Sequence, residues 1–175
     1  MKKNAFTILI LTAAACRAAD IPALNAKPGL WEVTTVTERS GALPIPAETL
    51  AKMPPEQRAR IEAQFKSKST PQTSTKQSCF TEADVNKGFG WTNAEKSCKQ
   101  TIVSATGSKQ EVKWECEGAQ KGNGSMKVEA LDSSHVNAVI DIAMGSGDRV
   151  MNMHVTTSAK WLSNSCGDVK PNSAK

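Results

Sequence analysis

From Val112 to Trp161, apolar and polar side chains alternate with a period of two. Val112, Trp114 and Cys116 alternate with Glu111, Lys113, Glu115 and Glu117, while Met126, Val128 and Ala130 alternate with Lys127 and Glu129. Val136, Ala138, Ile140, Ile142 and Met144 share one phase. Met151, Met153, Val155, Ala159 and Trp161 share another, opposed by Asn152, His154, Thr156, Ser158 and Lys160. Such alternation is what antiparallel strands with one buried face require. The runs are separated by turn chemistry at Thr106-Gly107-Ser108, Lys121-Gly122-Asn123-Gly124, Asp132-Ser133-Ser134 and Gly145-Ser146-Gly147-Asp148. Connections this short cannot cross over, so consecutive strands pair as hairpins. The expectation is a five-stranded meander beginning near Cys98.

The first half of the chain is less regular. Residues 19–28 read as a short polar lead-in, and Gly29 to Glu38, rich in β-branched and aromatic residues, reads as a strand. Ala47 to Lys66 is rich in Ala, Glu, Gln, Lys and Arg and predicts a helical insertion broken at Pro54-Pro55. Pro55 suits the first position of the second helix, where a missing N–H costs nothing. Ile61 and Phe65 give that helix a narrow apolar stripe. A further strand ends at Cys79-Phe80, and Thr81 is placed to cap a short helix with Asp84. Next comes a Gly-rich turn, Gly88-Phe89-Gly90-Trp91. The fold class expected is mostly β: an antiparallel meander forming a curved sheet or an up-and-down barrel, which the earlier strands extend or close, with the one helical insertion at about 47–66.

Residues 1–18 carry the signature of a secretory signal peptide. Lys2 and Lys3 precede an apolar run from Ala5 to Ala15 that is too short to span a bilayer, and small residues follow. Cleavage after Ala18 leaves a β-rich domain over 19–175, with its core at about 27–168, in the periplasm or outside the cell. The alternative exit makes Cys16 the acylated residue of a lipoprotein. Ala13-Ala14-Ala15 lacks the large aliphatic residue usual three positions before such a cysteine, so simple export is preferred. No second apolar run reaches membrane-spanning length.

Composition adds bounds rather than a function. With 175 residues and 39% hydrophobic side chains, the chain has material for a core, which excludes wholesale disorder and a polytopic membrane protein. The formal charge of +5 falls to +2 once Lys2, Lys3 and Arg17 leave with the leader, and no basic stripe remains to recruit nucleic acid. Beyond the leader stand Cys79, Cys98, Cys116 and Cys166, an even set that reads as two disulfides in an exported chain. Their spacing does not fit a zinc clip. Cys79–Cys98 with Cys116–Cys166 is the preferred connectivity. Its rival is Cys98–Cys116, which a tight turn at Gly107 would set almost opposite each other across a hairpin.

Catalytic signatures are missing: there is no HExxH, GxSxG, Walker loop or CxxC in the sequence. His135 sits beside a turn and His154 on a polar phase, so neither is read as a base or a metal ligand. Glu115 with Glu117 falls on a solvated strand face. No catalytic residue, metal or cofactor is therefore nominated, and an unrecognised hydrolase ranks last among the functions considered. The apolar phase is more informative. Trp31, Trp114, Met144, Met151, Met153 and Trp161 are expected on the concave side of the sheet, where Trp and Met line an adaptable apolar pocket or simply fill a core.

Several of these segments also resemble a known family. Lys27-Pro28-Gly29-Leu30-Trp31-Glu32-Val33 resembles the opening motif of the bacterial exported family called domain of unknown function 3617. Met53-Pro54-Pro55-Glu56, Cys79-Phe80-Thr81-Glu82, Cys98, Trp114-Glu115-Cys116 and a late cysteine are similar to that family as well, so the resemblance spans about 27–168. Members often end near Gly-Asp-Cys, whereas here Cys166 precedes Gly167-Asp168. The resemblance implies export and a compact disulfide-bonded domain, and it carries no site residues. The function expected is a non-enzymatic periplasmic protein that binds a small apolar ligand or maintains the envelope. The alternative is an interaction module that meets another envelope protein through the helical insertion or the sheet face.

Overall fold

The structure is a computed structural model and describes residues 22–43, 45–67, 70–86, 97–118, 121–146 and 149–171. Strand β1 (Gly29–Gly41) is followed by helices α1 (Ala47–Ala51) and α2 (Pro55–Ser67), strand β2 (Gln72–Phe80) and helix α3 (Glu82–Asn86). Then come β3 (Cys98–Ala105), β4 (Lys109–Cys116), β5 (Gly122–Asp132), β6 (His135–Ser146) and β7 (Arg149–Ser163). All seven strands pair antiparallel in one sheet of order β2-β1-β7-β6-β5-β4-β3. The meander from β3 to β7 is the expected one, β1 lies beside β7, and β2 extends the sheet outward. Because β2 and β3 are its two ends, the sheet is open and not a closed barrel.

The register carries one apolar face across the strands, since residues directly opposite one another share a face. One row runs Val33, Ala159, Val136, Ala130, and the next runs Thr35, Thr157, Ala138, Val128, Gln110. These rows contain most of the core cluster: Val33, Val128, Ala130 and Val136 are all at most 9% exposed, and Val112 lies in the adjoining row opposite Met126. The expected break in the helical insertion is present, with Pro55 opening α2. Thr81 caps α3 as expected. Its Oγ1 accepts from the Asp84 N–H at 3.2 Å, while Asp84 Oδ2 accepts from the Thr81 N–H at 2.8 Å.

Three expectations need correction. The lead-in is not merely polar: Leu24 is 2% exposed and belongs to the core cluster. Its neighbours tie it to the sheet, with Asn25 N–H donating to the Gly107 carbonyl at 2.6 Å and Lys27 N–H to the Ser133 carbonyl at 2.9 Å. Gln110 Nε2 donates to the Pro22 carbonyl at 2.7 Å. Second, Gly122 and Gly124 are strand residues of β5, not turn residues. A Cβ on Gly124 would collide with the Trp114 ring, and one on Gly122 would lie 2.5 Å from the Ala143 carbonyl oxygen. These glycines allow close packing, which is the other reason for glycine inside a strand.

The third correction concerns the disulfides, which join Cys79 to Cys166 and Cys98 to Cys116. Neither preferred pair forms. Cys98 and Cys116 are register partners across the β3–β4 hairpin, with Cα atoms 4.0 Å apart, so each is the other's nearest partner. Cys79 is carried by β2 to the edge where the chain returns after β7; Cys79 bridges Pro171 there and bonds Cys166. The Gly88–Trp91 turn, the leader and Cys16 lie outside the described residues.

Candidate functional site

Lys27-Pro28-Gly29-Leu30-Trp31 has a direct structural account. Trp31 and Trp161 are directly opposite on β1 and β7. Their indole N–H groups donate to successive carbonyls of the lead-in, Trp31 to Lys27 at 3.0 Å and Trp161 to Pro28 at 3.1 Å. Lys27 closes over the second ring, its Nζ 4.8 Å from the Trp161 centroid, and donates to Ser134 Oγ at 3.1 Å. Gly29 lets the chain enter β1 at φ +128°, where a Cβ would strike the Ser163 carbonyl oxygen. Trp31 is thereby fully buried with its polar atom satisfied.

Beside Trp31 the inward face leaves a cavity of about 270 Å³. Every residue that lines it belongs to the inward phase. Trp31, Val33 and Thr35 come from β1, and Lys76, Ser78 and Phe80 from β2. Met126 and Val128 come from β5, Val136 and Ala138 from β6, and Thr157 and Ala159 from β7. Four strand spacings separate β2 from β5, about 19 Å if flat. The cavity therefore spans five neighbouring strands of the sheet. The space exists because small side chains stand next to large ones: Ala138, Ala159, Thr157, Thr35 and Ser78 do not fill the volume that Trp31, Met126 and Phe80 border. The lining is aliphatic and aromatic except for Thr35, Thr157, Ser78 and Lys76. Ser78 is 6% exposed, whereas Lys76 is exposed at the β2 edge.

A larger space of about 510 Å³ runs across β1, β7, β6, β5 and β4 toward the other end of the sheet. Its lining draws mostly on the outward phase, including Glu38, His154, Asp141, Ser125 and Lys113. His154 Nδ1 lies 2.7 Å from Asp141 Oδ1 there. Both side chains are about half exposed or more, so the pair is a solvated surface contact. The wall of this groove is largely charged or polar, with Glu38, Lys113, Glu115, Asp141 and His154 in it, and suits an apolar molecule poorly. The 270 Å³ cavity is therefore the better candidate although it is smaller.

The structure distributes the six nominated apolar residues along the inward face. Trp31 lines the cavity, and Trp161 stands opposite Trp31 and packs against the same core cluster. Trp114 lies over Gly124 and borders the larger groove together with Met153. Met144 and Met151 face each other farther along the β6–β7 ladder. The cavity's other residues lie outside these six: Val33, Met126, Val128 and Val136, the small side chains, and the residues of β2. Their strand, QTSTKQSCF, is polar along most of its length and gives no apolar alternation to follow. Among the described residues, no cluster of three or more His, Cys, Asp or Glu could hold a metal ion, and no helix is long and apolar enough to cross a membrane.

Residues 26–166 match the model of the family described as protein of unknown function (DUF3617). The chain belongs to the DUF3617 family. The match opens just before the Lys27–Trp31 segment and closes on Cys166, so the DUF3617 region takes in the whole seven-stranded sheet and both disulfides. No curated protein and no solved structure matches the chain.

Proposed function

We propose that this DUF3617 protein is an exported, non-enzymatic binding protein of the bacterial envelope, and that it holds a small apolar molecule in the cavity beside Trp31. The observation that carries the reading is the uniform inward phase of that cavity's lining, which gives an apolar wall without a catalytic constellation. Its volume equals about nine water volumes, so the molecule has on the order of ten heavy atoms, or inserts a portion of that size. Two disulfides and the leader pattern support export, with residues 1–18 removed and a β-rich domain remaining from Ala19. The helical insertion offers a partner less: Leu50 is buried and Ile61 and Phe65 are half-buried.

Native mass spectrometry of protein purified from the periplasm of the bacterium that makes it tests the reading. A small molecule travels with the wild-type protein and is missing from Ala138→Phe, in which the new ring occupies the cavity. If the wild-type protein carries nothing and Ala138→Phe is simply more stable, the space is a packing defect and the proposal is wrong. Intact mass in the same experiment reads the terminus. A chain starting at Ala19 with no alkylatable thiol is expected, and a diacylglyceryl adduct on Cys16 would make the protein a lipoprotein instead.

A further inference from the structure

We infer that the occupant of the cavity is an amphiphile with one anionic end, a medium-chain carboxylate, and that Lys76 binds its headgroup. This rests on the cavity being the ligand site. Lys76 is the one charged residue in the lining. Its charge is available, because Lys76 makes no ion pair among the described residues. Hydroxyl groups surround it in the register. Lys76 stands opposite Val33, Ser78 stands opposite Trp31, and Thr35 stands opposite both Ser74 and Thr157. The Thr35 and Thr157 hydroxyls are 3.4 Å apart, so one donates to the other and the second keeps its O–H for an acceptor in the cavity.

The apolar remainder of the wall, from Val33 through Ala159 and Val136 to Val128, has no polar side chain. A neutral hydrocarbon would leave Lys76 and the hydroxyl groups unused, and a cationic amphiphile would set like charges together. A carboxylate end satisfies the ammonium by a charge-assisted hydrogen bond while its chain lies on the valines. Lysine on an edge strand also deters strand addition between molecules. That role needs no ligand and leads to a different experimental result.

Titration of the intact oxidised protein with octanoate, 1-octanol and octylammonium separates the cases. The readout is the NMR shift of the Trp31 indole N–H and of the Val128 and Val136 methyls. Octanoate is expected to bind about tenfold more tightly than octanol, and octylammonium more weakly than either. Lys76→Gln should bring octanoate down to the octanol affinity without changing octanol, and Lys76→Arg should retain the preference. Equal affinity of octanoate and octanol in the wild-type protein overturns the anionic assignment while leaving the apolar cavity in place. So does Lys76→Gln that self-associates with unchanged octanoate affinity, which would make the lysine an edge protector. Absence of binding by all three probes overturns the cavity reading itself.

Discussion

At Gly29 the backbone has φ +128° and the Ser163 carbonyl occupies the place of a side chain. Gly29→Ala therefore meets two penalties at once, a backbone conformation disfavoured for L-residues and a steric collision with β7. A loss of about 2–3 kcal/mol is expected from urea midpoints. A change below about 0.5 kcal/mol would mean that β1 enters the sheet differently. Asp132 poses a subtler residue-level question. It ends β5 at the turn into β6, where its carboxylate accepts from the Ser134 N–H at 2.6 Å and contacts His135 Nδ1 at 2.9 Å. The Ser134 backbone bond first, and His135 second, hold the carboxyl below the ordinary carboxylate range. The unfolded chain then takes up the proton more readily than the folded one. The stabilisation is present above the ordinary carboxylate range and is lost as pH falls through the lowered value. The turn also receives Lys27 N–H through the Ser133 carbonyl. Amide-exchange protection at Ser134 and Lys27 should therefore fall together on acidification. Asp132→Asn, which keeps an acceptor for Ser134, should lose that acid step; persistence of the step would assign it to another group.

At the scale of the elements, the two disulfides divide the sheet between its edges. Cys98–Cys116 closes a separation of 18 residues within one hairpin, and Cys79–Cys166 one of 87 that takes in the whole meander. Chain-entropy arithmetic assigns about 3 kcal/mol to the first and about 4.5 kcal/mol to the second. Cys98→Ala and Cys116→Ala should have equal effects, both smaller than those of Cys79→Ala and Cys166→Ala. Peptide mapping of the oxidised protein checks the pairing directly, and a Cys79–Cys98 crosslink would reverse the assignment. The strands themselves were legible because period-two alternation is imposed by burial of one face, and β4 to β7 keep it along most of their length. The pairing of cysteines was not. It depends on which edge β2 joins, and that choice is made by pairing with β1 far from the hairpins. The cavity was half legible for a related reason. Trp31 announces itself by size, whereas Ala138, Ala159 and Thr157 shape the space by what they lack. Gly122 and Gly124 misled in the same way: a glycine that admits Trp114 to the sheet looks like one that makes a turn.

At the scale of the whole molecule, no second layer of strands covers the apolar face of the sheet among the described residues, and the lead-in segment contributes cover of its own. Leu24 is the element of that cover that reaches the core: at 2% exposure it joins Trp31, Val33, Val112, Val128, Ala130 and Val136 in one cluster. Residues 22–27 are held on three sides, by Gln110 of β4, by Gly107 in the β3–β4 turn and by Ser133 in the β5–β6 turn. They run on into β1 and so tie it to β4 and the β3–β4 turn, which the sheet joins to β1 only through β7, β6 and β5. Leu24→Ala removes the buried side chain while leaving these backbone bonds available, so the expected loss is about 3 kcal/mol, within the range for a leucine deleted from a packed core. Leu131, at 59% exposure on β5, is the control, and Leu131→Ala should stay within about 0.5 kcal/mol of the parent. Exchange protection at the Asn25 and Lys27 amides should fall in the Leu24 variant before the β6–β7 ladder is affected. If the two leucine variants unfold at the same denaturant concentration, the lead-in lies on the sheet without supporting it, and the apolar face must be stabilised from within the strands alone.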